Sequence, residues 1–173
     1  MSNFWIVRHG EHNIYMYDGP LTALGQEQSK AAAKVIAEKR PEKCIVIGCS
    51  RDLRVIETVG LVAEELEANE IDSSVEICSI NRAVEIPTIV EKASEEGFDI
   101  VIVGNRRQDF FRQIALTFFP DKNELVFPNV GEVICCPLRN GVSVIQRMKI
   151  PYDTDLKFVP GRKETFKSRY QFK

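Results

Sequence analysis

Two rhythms of apolar residues alternate along the chain. Short unbroken apolar runs at residues 4–7, 44–48 and 100–104 have the length and composition of strands buried on both faces. Between them apolar positions recur every three or four residues, the spacing of one face of a helix. Thr22 is placed to cap a helix running to about residue 39, with Ala32, Val35 and Ile36 turned inward and Pro41 ending it. After the turn Gly48-Cys49-Ser50, the residues Val55, Val59, Val62, Ala63 and Leu66 mark the inner face of a second helix. Residues 75–80 read as a weaker strand, 86–96 as a short helix closed by Gly97, and Phe111, Ile114, Ala115 and Phe118 as a further amphipathic helix ahead of Pro120. Near the end, two strand-like runs, 133–138 and 142–148, flank Arg139-Asn140-Gly141, and Asn-Gly between such runs is a strong hairpin signal.

Strand and helix patterns in alternation predict an α/β fold of three layers, α/β/α: a mostly parallel sheet, helices on both faces, and the last hairpin as an antiparallel edge. The chain has 173 residues, which fits one domain. Residues 1–150 form that domain in this reading, and 151–173 a tail packed on or extending from it. The tail mixes Lys157, Arg162, Lys163, Lys167, Arg169 and Lys173 with Asp153, Asp155 and Glu164, and its spaced aromatics fit a polar segment lying over the surface better than a basic arm.

A net charge of −2 gives no general attraction to nucleic acid. The apolar run at 4–7 is too short for a signal peptide, no segment is long enough to span a bilayer, and no membrane association is expected. The five cysteines include no C-x-x-C pair and sit mostly in strand-like runs, so they are expected buried and reduced, as in the cytoplasm. Two histidines, three residues apart, make a metal site an unpromising idea, and no cofactor is expected.

Candidate chemistry begins where the first strand stops, at Arg8-His9-Gly10-Glu11. An apolar strand that ends in a cation and an imidazole delivers both to the rim of a sheet, where open α/β folds bind ligands. Gly10 is expected to turn the backbone there through a positive φ. Asp18-Gly19-Pro20-Leu21-Thr22 and Gly25 follow, then Ser50 with Arg54 four residues on and Thr58 four beyond that. In these three pieces, in this order, the chain resembles the histidine phosphatase superfamily, the phosphoglycerate-mutase-like proteins. That family runs Arg-His-Gly, Asp-x-Pro-Leu-Thr-x-x-Gly, Ser-x-x-x-Arg-x-x-x-Thr, and the likeness covers about the first third of the chain.

The resemblance implies that His9 is a nucleophile that becomes phosphorylated, and that Arg8 and Arg54 hold the phosphate through bidentate contacts. It implies a carboxylic general acid after the third strand; Glu85 is the candidate and Glu11 the second. It also implies a second histidine at the end of the strand 100–104, where this chain has Gly104-Asn105. No histidine follows His12, so none can take that place from downstream. Asn105 can donate to a phosphoryl oxygen through its amide but carries no charge. Arg106, Arg107 or the loop residue His12 could bring charge back to the phosphate. The implied function is a phosphatase with reduced activity, taking a phosphorylated small molecule or a phosphoprotein. The alternative is a pseudophosphatase that only binds such a ligand or partner. Mutase activity fits less well, because no long insertion is present to close over a phosphoglycerate.

Overall fold

The computed structural model describes residues 2–77, 86–105, 128, 132–137 and 146–149. The elements in chain order are β1 (Asn3–Arg8), α1 (Ala23–Ala37), β2 (Lys43–Gly48), α2 (Leu53–Ala68), β3 (Asp72–Ile77), α3 (Ile86–Glu95), β4 (Asp99–Gly104), β5 (Glu132–Pro137) and β6 (Gln146–Lys149). The three apolar runs become the middle of one six-stranded sheet, ordered β3-β2-β4-β1-β5-β6. β1, β4, β2 and β3 run parallel, while β5 and β6 join antiparallel at the β1 side.

Both faces of the central strands are covered. Trp5, Val7, Val46, Val101, Val103 and Val133 pack on one face against α1 and α2 through Ala32, Ile36, Val55, Val59, Val62 and Leu66. The opposite side chains of the same strands, Phe4, Ile6, Ile47, Ile100, Ile102 and Ile134, are also buried. α3 lies on that second side, where Ile89, Lys92 and Ala93 border a cleft with Ile45, Ser74 and Glu76. The α/β sheet with helices on both faces is therefore as the apolar pattern predicts.

Element ends depart from the pattern where hydrogen bonding outweighs residue preference. Thr22 caps α1 as expected, its hydroxyl accepting from the backbone N–H of Gly25. The helix stops at Ala37 rather than at 39, and the chain leaves through Arg40 in the left-handed region at φ 50°. β3 begins three residues earlier than the apolar pattern predicts, at Asp72. It is an edge strand, and Asp72, Ser73 and Ser74 join it by pairing with Lys43, Cys44 and Ile45 rather than by hydrophobicity. Gly97 closes α3 at φ 80°, a left-handed position that favours glycine. Residues 78–80 of the expected third strand, the helix around 111–118, the turn at 138–145 and the tail 151–173 lie outside the described residues, as does any boundary at 150. Among the described residues, no helix is long and apolar enough to cross a membrane.

One buried carboxylate ties the start of β4 to β1. Asp99 is 3% exposed and accepts hydrogen bonds from Asn3 N at 2.8 Å, Asn3 Nδ2 at 2.9 Å and Trp5 Nε1 at 2.9 Å. Asp99→Ala strands three donors at once. An unpaired buried donor costs about 1–3 kcal/mol, so the variant is expected to lose about 2–4 kcal/mol in urea unfolding. A loss below about 1 kcal/mol would show that the sheet holds this corner without the carboxylate.

Candidate functional site

The site grows from the carboxyl ends of three adjacent strands. The ladder continues one residue past each strand: His9 N–H donates to Gly104 O at 3.1 Å and Cys49 N–H to Val103 O at 2.9 Å. The segments leaving β1, β2 and β4 therefore start from a common edge. Gly10 then packs directly on the first turn of α1. A Cβ there would lie 2.1 Å from Gly25 O, and a Cβ on Gly25 would lie 1.9 Å from Glu11 O. This corrects the expectation of a positive φ at Gly10, since Gly97 is the positive-φ glycine among the described residues. The position needs glycine for closeness of approach, not for handedness. Thr58 locks the same turn to α2, its hydroxyl accepting from Gly10 N–H at 3.2 Å and donating to Arg54 O at 2.7 Å.

Arg8, His9, His12, Arg54 and Asn105 line a single open cleft of about 960 Å³, together with Arg51, Asp52, Asp18 and residues 14–17. His9 is 3% exposed, and its Nδ1 lies 2.8 Å from Gly10 O. A carbonyl oxygen only accepts, so Nδ1 carries the proton and Nε2 keeps its lone pair. Burial pushes the His9 pKa down to about 4; the Gly10 carbonyl opposes that shift, while His12, Arg54 and Arg8 add to it. His9 is thus a neutral base with a fixed tautomer at neutral pH. His12 stands edge to face against it, ring centroids 5.1 Å apart and planes at 86°. Its pKa is also lowered, first by burial and then by the two arginines. His12 is therefore an edge-to-face ring neighbour of His9 rather than a ready cation.

Arg54 projects from the first turn of α2, and its buried Nε finds no acceptor among the described residues. Its Nη2 meets the Asp52 carboxylate at 2.6 Å, and the same Asp52 Oδ2 accepts from Asn105 Nδ2 at 3.2 Å. Asp52 occupies the N-cap position of α2 yet makes no side-chain cap. Leu53 N–H, in the first turn of α2, instead donates to Asp18 Oδ1 at 2.6 Å. Asp52, Asp18 and residues 14–17 line the cleft although sequence reasoning gave them no role there. An aspartate just before a helix reads as a cap, and nothing in one dimension shows that its carboxylate turns to an arginine instead.

Glu11, the second candidate acid, is committed elsewhere: its carboxylate accepts from Thr22 Oγ1 at 2.8 Å beside the α1 cap, and it is not among the residues lining the cleft. Glu85, Arg106 and Arg107 lie outside the described residues. Among the described residues no group of three or more His, Cys, Asp or Glu side chains is arranged to hold a metal.

A mostly parallel α/β sheet thus carries two arginines and a neutral histidine at its carboxyl edge, an arrangement whose charge suits an anion. The comparisons narrow the class. Residues 4–79 match the model of the histidine phosphatase superfamily (branch 1). The fold is similar to that of the protein histidine phosphatase SixA, solved with tungstate, at TM-score 0.65 and 20% identity, covering 85% of this chain and 96% of that one. It is also similar to a mycobacterial glucosyl-3-phosphoglycerate phosphatase solved with VO3, at TM-score 0.58 and 11% identity, covering 88% and 99%. A phosphoserine phosphatase from Entamoeba histolytica, solved with 3-phosphoglyceric acid, matches at TM-score 0.54 and 17% identity over 84% and 95%. Among curated protein sequences, none matches.

Two outcomes follow from this geometry. The lowered His9 pKa means that, between pH 6.5 and about 4, the unfolded chain binds a proton that the folded chain refuses. Stability from this group is complete above pH 6.5 and is lost as the pH falls toward about 4, where folded His9 also protonates. Denaturant midpoints of the wild type should therefore fall over that window more steeply than those of His9→Gln; equal slopes would mean that His9 is not held neutral. Second, Asp52 already occupies Arg54. Asp52→Asn removes a negative charge beside any bound anion, worth about 1 kcal/mol or roughly fivefold in a water-like medium. Calorimetry should show phosphate binding tighter by that factor, and an unchanged affinity would place the anion away from Arg54.

Proposed function

We propose that the chain is a phosphatase that works through a phosphohistidine at His9. The observation that carries this reading is the His9 imidazole itself: buried, held neutral, its Nδ1–H given to Gly10 O, and bordered by Arg8 and Arg54. In-line attack on phosphorus needs a neutral nitrogen of fixed direction and cations around the oxygens. The similar structures solved with tungstate and VO3, two phosphate-like oxyanions, support the same use of the cleft.

In this mechanism Arg8 and Arg54 hold the phosphoryl oxygens of the substrate, and Arg54 gives up Asp52 to do so. Nε2 of His9 forms a bond to phosphorus as the bond to the leaving group breaks. The leaving group takes a proton from a carboxylic acid, the role assigned to Glu85. Water then attacks the phosphorus of phospho-His9, its proton passes to that carboxylate, and His9 and inorganic phosphate are released. Asn105 stands where the superfamily pattern implies a second histidine and supplies a neutral donor, so turnover is slow; losing one transition-state donor costs on the order of 10²–10³ in rate. Asn105 and Arg54 are both bonded to Asp52, and that pairing also favours a second reading, in which the chain binds phosphorylated ligands without turning them over. Within this proposal the protein works in the cytoplasm, supported by the buried, free thiols of Cys44, pushed up to about 12, and Cys135, pushed up to about 11, chiefly by burial.

Incubation with para-nitrophenyl phosphate, quenched in alkali to preserve phosphohistidine, tests the reading. Turnover and phosphate on His9 are expected, both lost in His9→Gln. Asn105→His should raise kcat by about tenfold or more, since a charged donor is about twice as strong as a neutral one. Phosphate binding without turnover in either the wild type or Asn105→His would select the binding protein.

A further inference from the structure

The cationic floor of the cleft has an apolar rim. Ile14, Tyr15 and Met16 are 74%, 87% and 55% exposed and Tyr17 is fully exposed. Leu53, the other exposed large apolar side chain among the described residues, sits beside them, its backbone N–H bonded to Asp18. Four of the five exposed large apolar side chains among the described residues, Ile14, Tyr15, Met16 and Tyr17, thus line the one mouth that Arg8, His9 and Arg54 also line. Scattered exposed leucines are ordinary, but four consecutive bulky residues at the lip of a site mark a contact surface.

The rim is presented rather than merely exposed. The neck of its loop is closed by Asn13 N–H to Pro20 O at 2.9 Å, Thr22 N–H to Glu11 O at 2.9 Å, and a bridge between His12 and Leu21. Asn13 Oδ1 accepts from Tyr15 N–H at 3.0 Å, starting the tip as a turn. Gly19 packs so closely that a Cβ would lie 2.0 Å from Asn13 O. On the far side, Asp18 at φ 54° gives its carboxylate to Leu53 N–H, and Glu57 Oε2 accepts from Leu21 N–H at 2.6 Å. A loop stapled to α2 in this way cannot fold its tip into the core. It also spends little ordering entropy on contact, and two of its tip residues are tyrosines, a type enriched at binding hot spots.

We propose that residues 14–17 are a docking rim for a phosphorylated protein, whose apolar surface packs on Ile14, Tyr15, Met16 and Tyr17 while its phosphoryl group reaches Arg8 and Arg54. This rests on the phosphate-binding reading of the same cleft. Charge complementarity sets the phosphoryl end, and the continuity of rim and floor sets the rest. A small phosphorylated metabolite is polar and hydrated and offers no apolar surface to cover this strip, whereas a protein segment around a phosphorylated residue offers both.

The test uses the full chain and its Tyr15→Ser/Tyr17→Ser variant, whose changes fall on exposed side chains. The substrates are peptides with a central phosphohistidine or phosphotyrosine, flanked by leucine and phenylalanine or by serine and glycine, together with para-nitrophenyl phosphate. Phosphonate versions of the peptides, which cannot be hydrolysed, report binding by fluorescence anisotropy. The wild type is expected to favour the apolar-flanked peptides at least tenfold, in kcat/KM through KM and in phosphonate affinity, and the variant to lose that preference while its affinity for inorganic phosphate, which has no apolar part to meet the rim, stays within about twofold. Absence of a flank preference, or its persistence in the variant, would overturn the rim. So would a wild-type dimer that the variant dissolves, or wild-type binding to phosphatidylcholine–phosphatidylglycerol vesicles that the variant loses. If neither peptides nor aryl phosphate are turned over, the phosphatase reading fails by itself, and the phosphonate arm still decides the rim.

Discussion

The contact on which the site depends is backbone against backbone: Gly10 on Gly25, with no room for a Cβ on either. It brings the segment after β1 onto the N-terminal turn of α1, and Thr58 fastens the same segment to α2. Three elements that are distant in sequence are thereby held around one imidazole. Any side chain at Gly10 or Gly25 would push the strand end and the helix apart and spread the residues that must meet at His9. The sheet supplies the other constraint, because His9 and Cys49 continue the ladder onto Gly104 and Val103, which aligns the ends of β1, β2 and β4.

Within that frame, burial and charge act in the same direction on His9. Desolvation is the largest influence on it, and Arg54 and Arg8 add to it, so the ring is neutral, while the Gly10 carbonyl selects which nitrogen holds the proton. Burial, and after it the same two arginines, depress His12, so the cleft gathers cations without protonating its imidazoles. Asp52 balances that charge locally, since Arg54 and Asn105 share its Oδ2. A partly buried guanidinium without a counter-charge is less stable, and a carboxylate that an incoming anion can displace is one way to keep it in place. Above this charged floor lies a rim of opposite character, apolar and pinned at its base, so that one loop contributes His12 to the floor and residues 14–17 to the lip.

Much of this architecture was legible in one dimension. The apolar runs at 4–7, 44–48 and 100–104 specified the buried middle of the sheet, because a strand covered on both faces leaves no position for polar residues. Thr22 as a cap, the inner faces of α1 and α2, the end of α3 at Gly97 and the antiparallel hairpin at the edge all followed from local preference. The spacing of Arg8-His9, Arg54 and Thr58 pointed to one cluster, and these residues do gather around one turn.

What the sequence could not decide was everything that depends on where a side chain finds its partner. Asp72–Ser74 joined β3 because a neighbouring strand offered hydrogen bonds, not because of their own preference. Glu11 and Asp52 are both acids near the motifs. Only the packing of α1 and β4 shows that the first turns to Thr22 and the second to Arg54 and Asn105. Gly10 is glycine for the nearness of Gly25, fifteen positions on, and not for its own dihedral. Local preference acts through a residue and its sequence neighbours, so it determined the elements and their order. Close approach, burial and ion pairing act between elements, so the tautomer of His9, the counter-charge of Arg54 and the outward tip at 14–17 were decided by the tertiary structure alone.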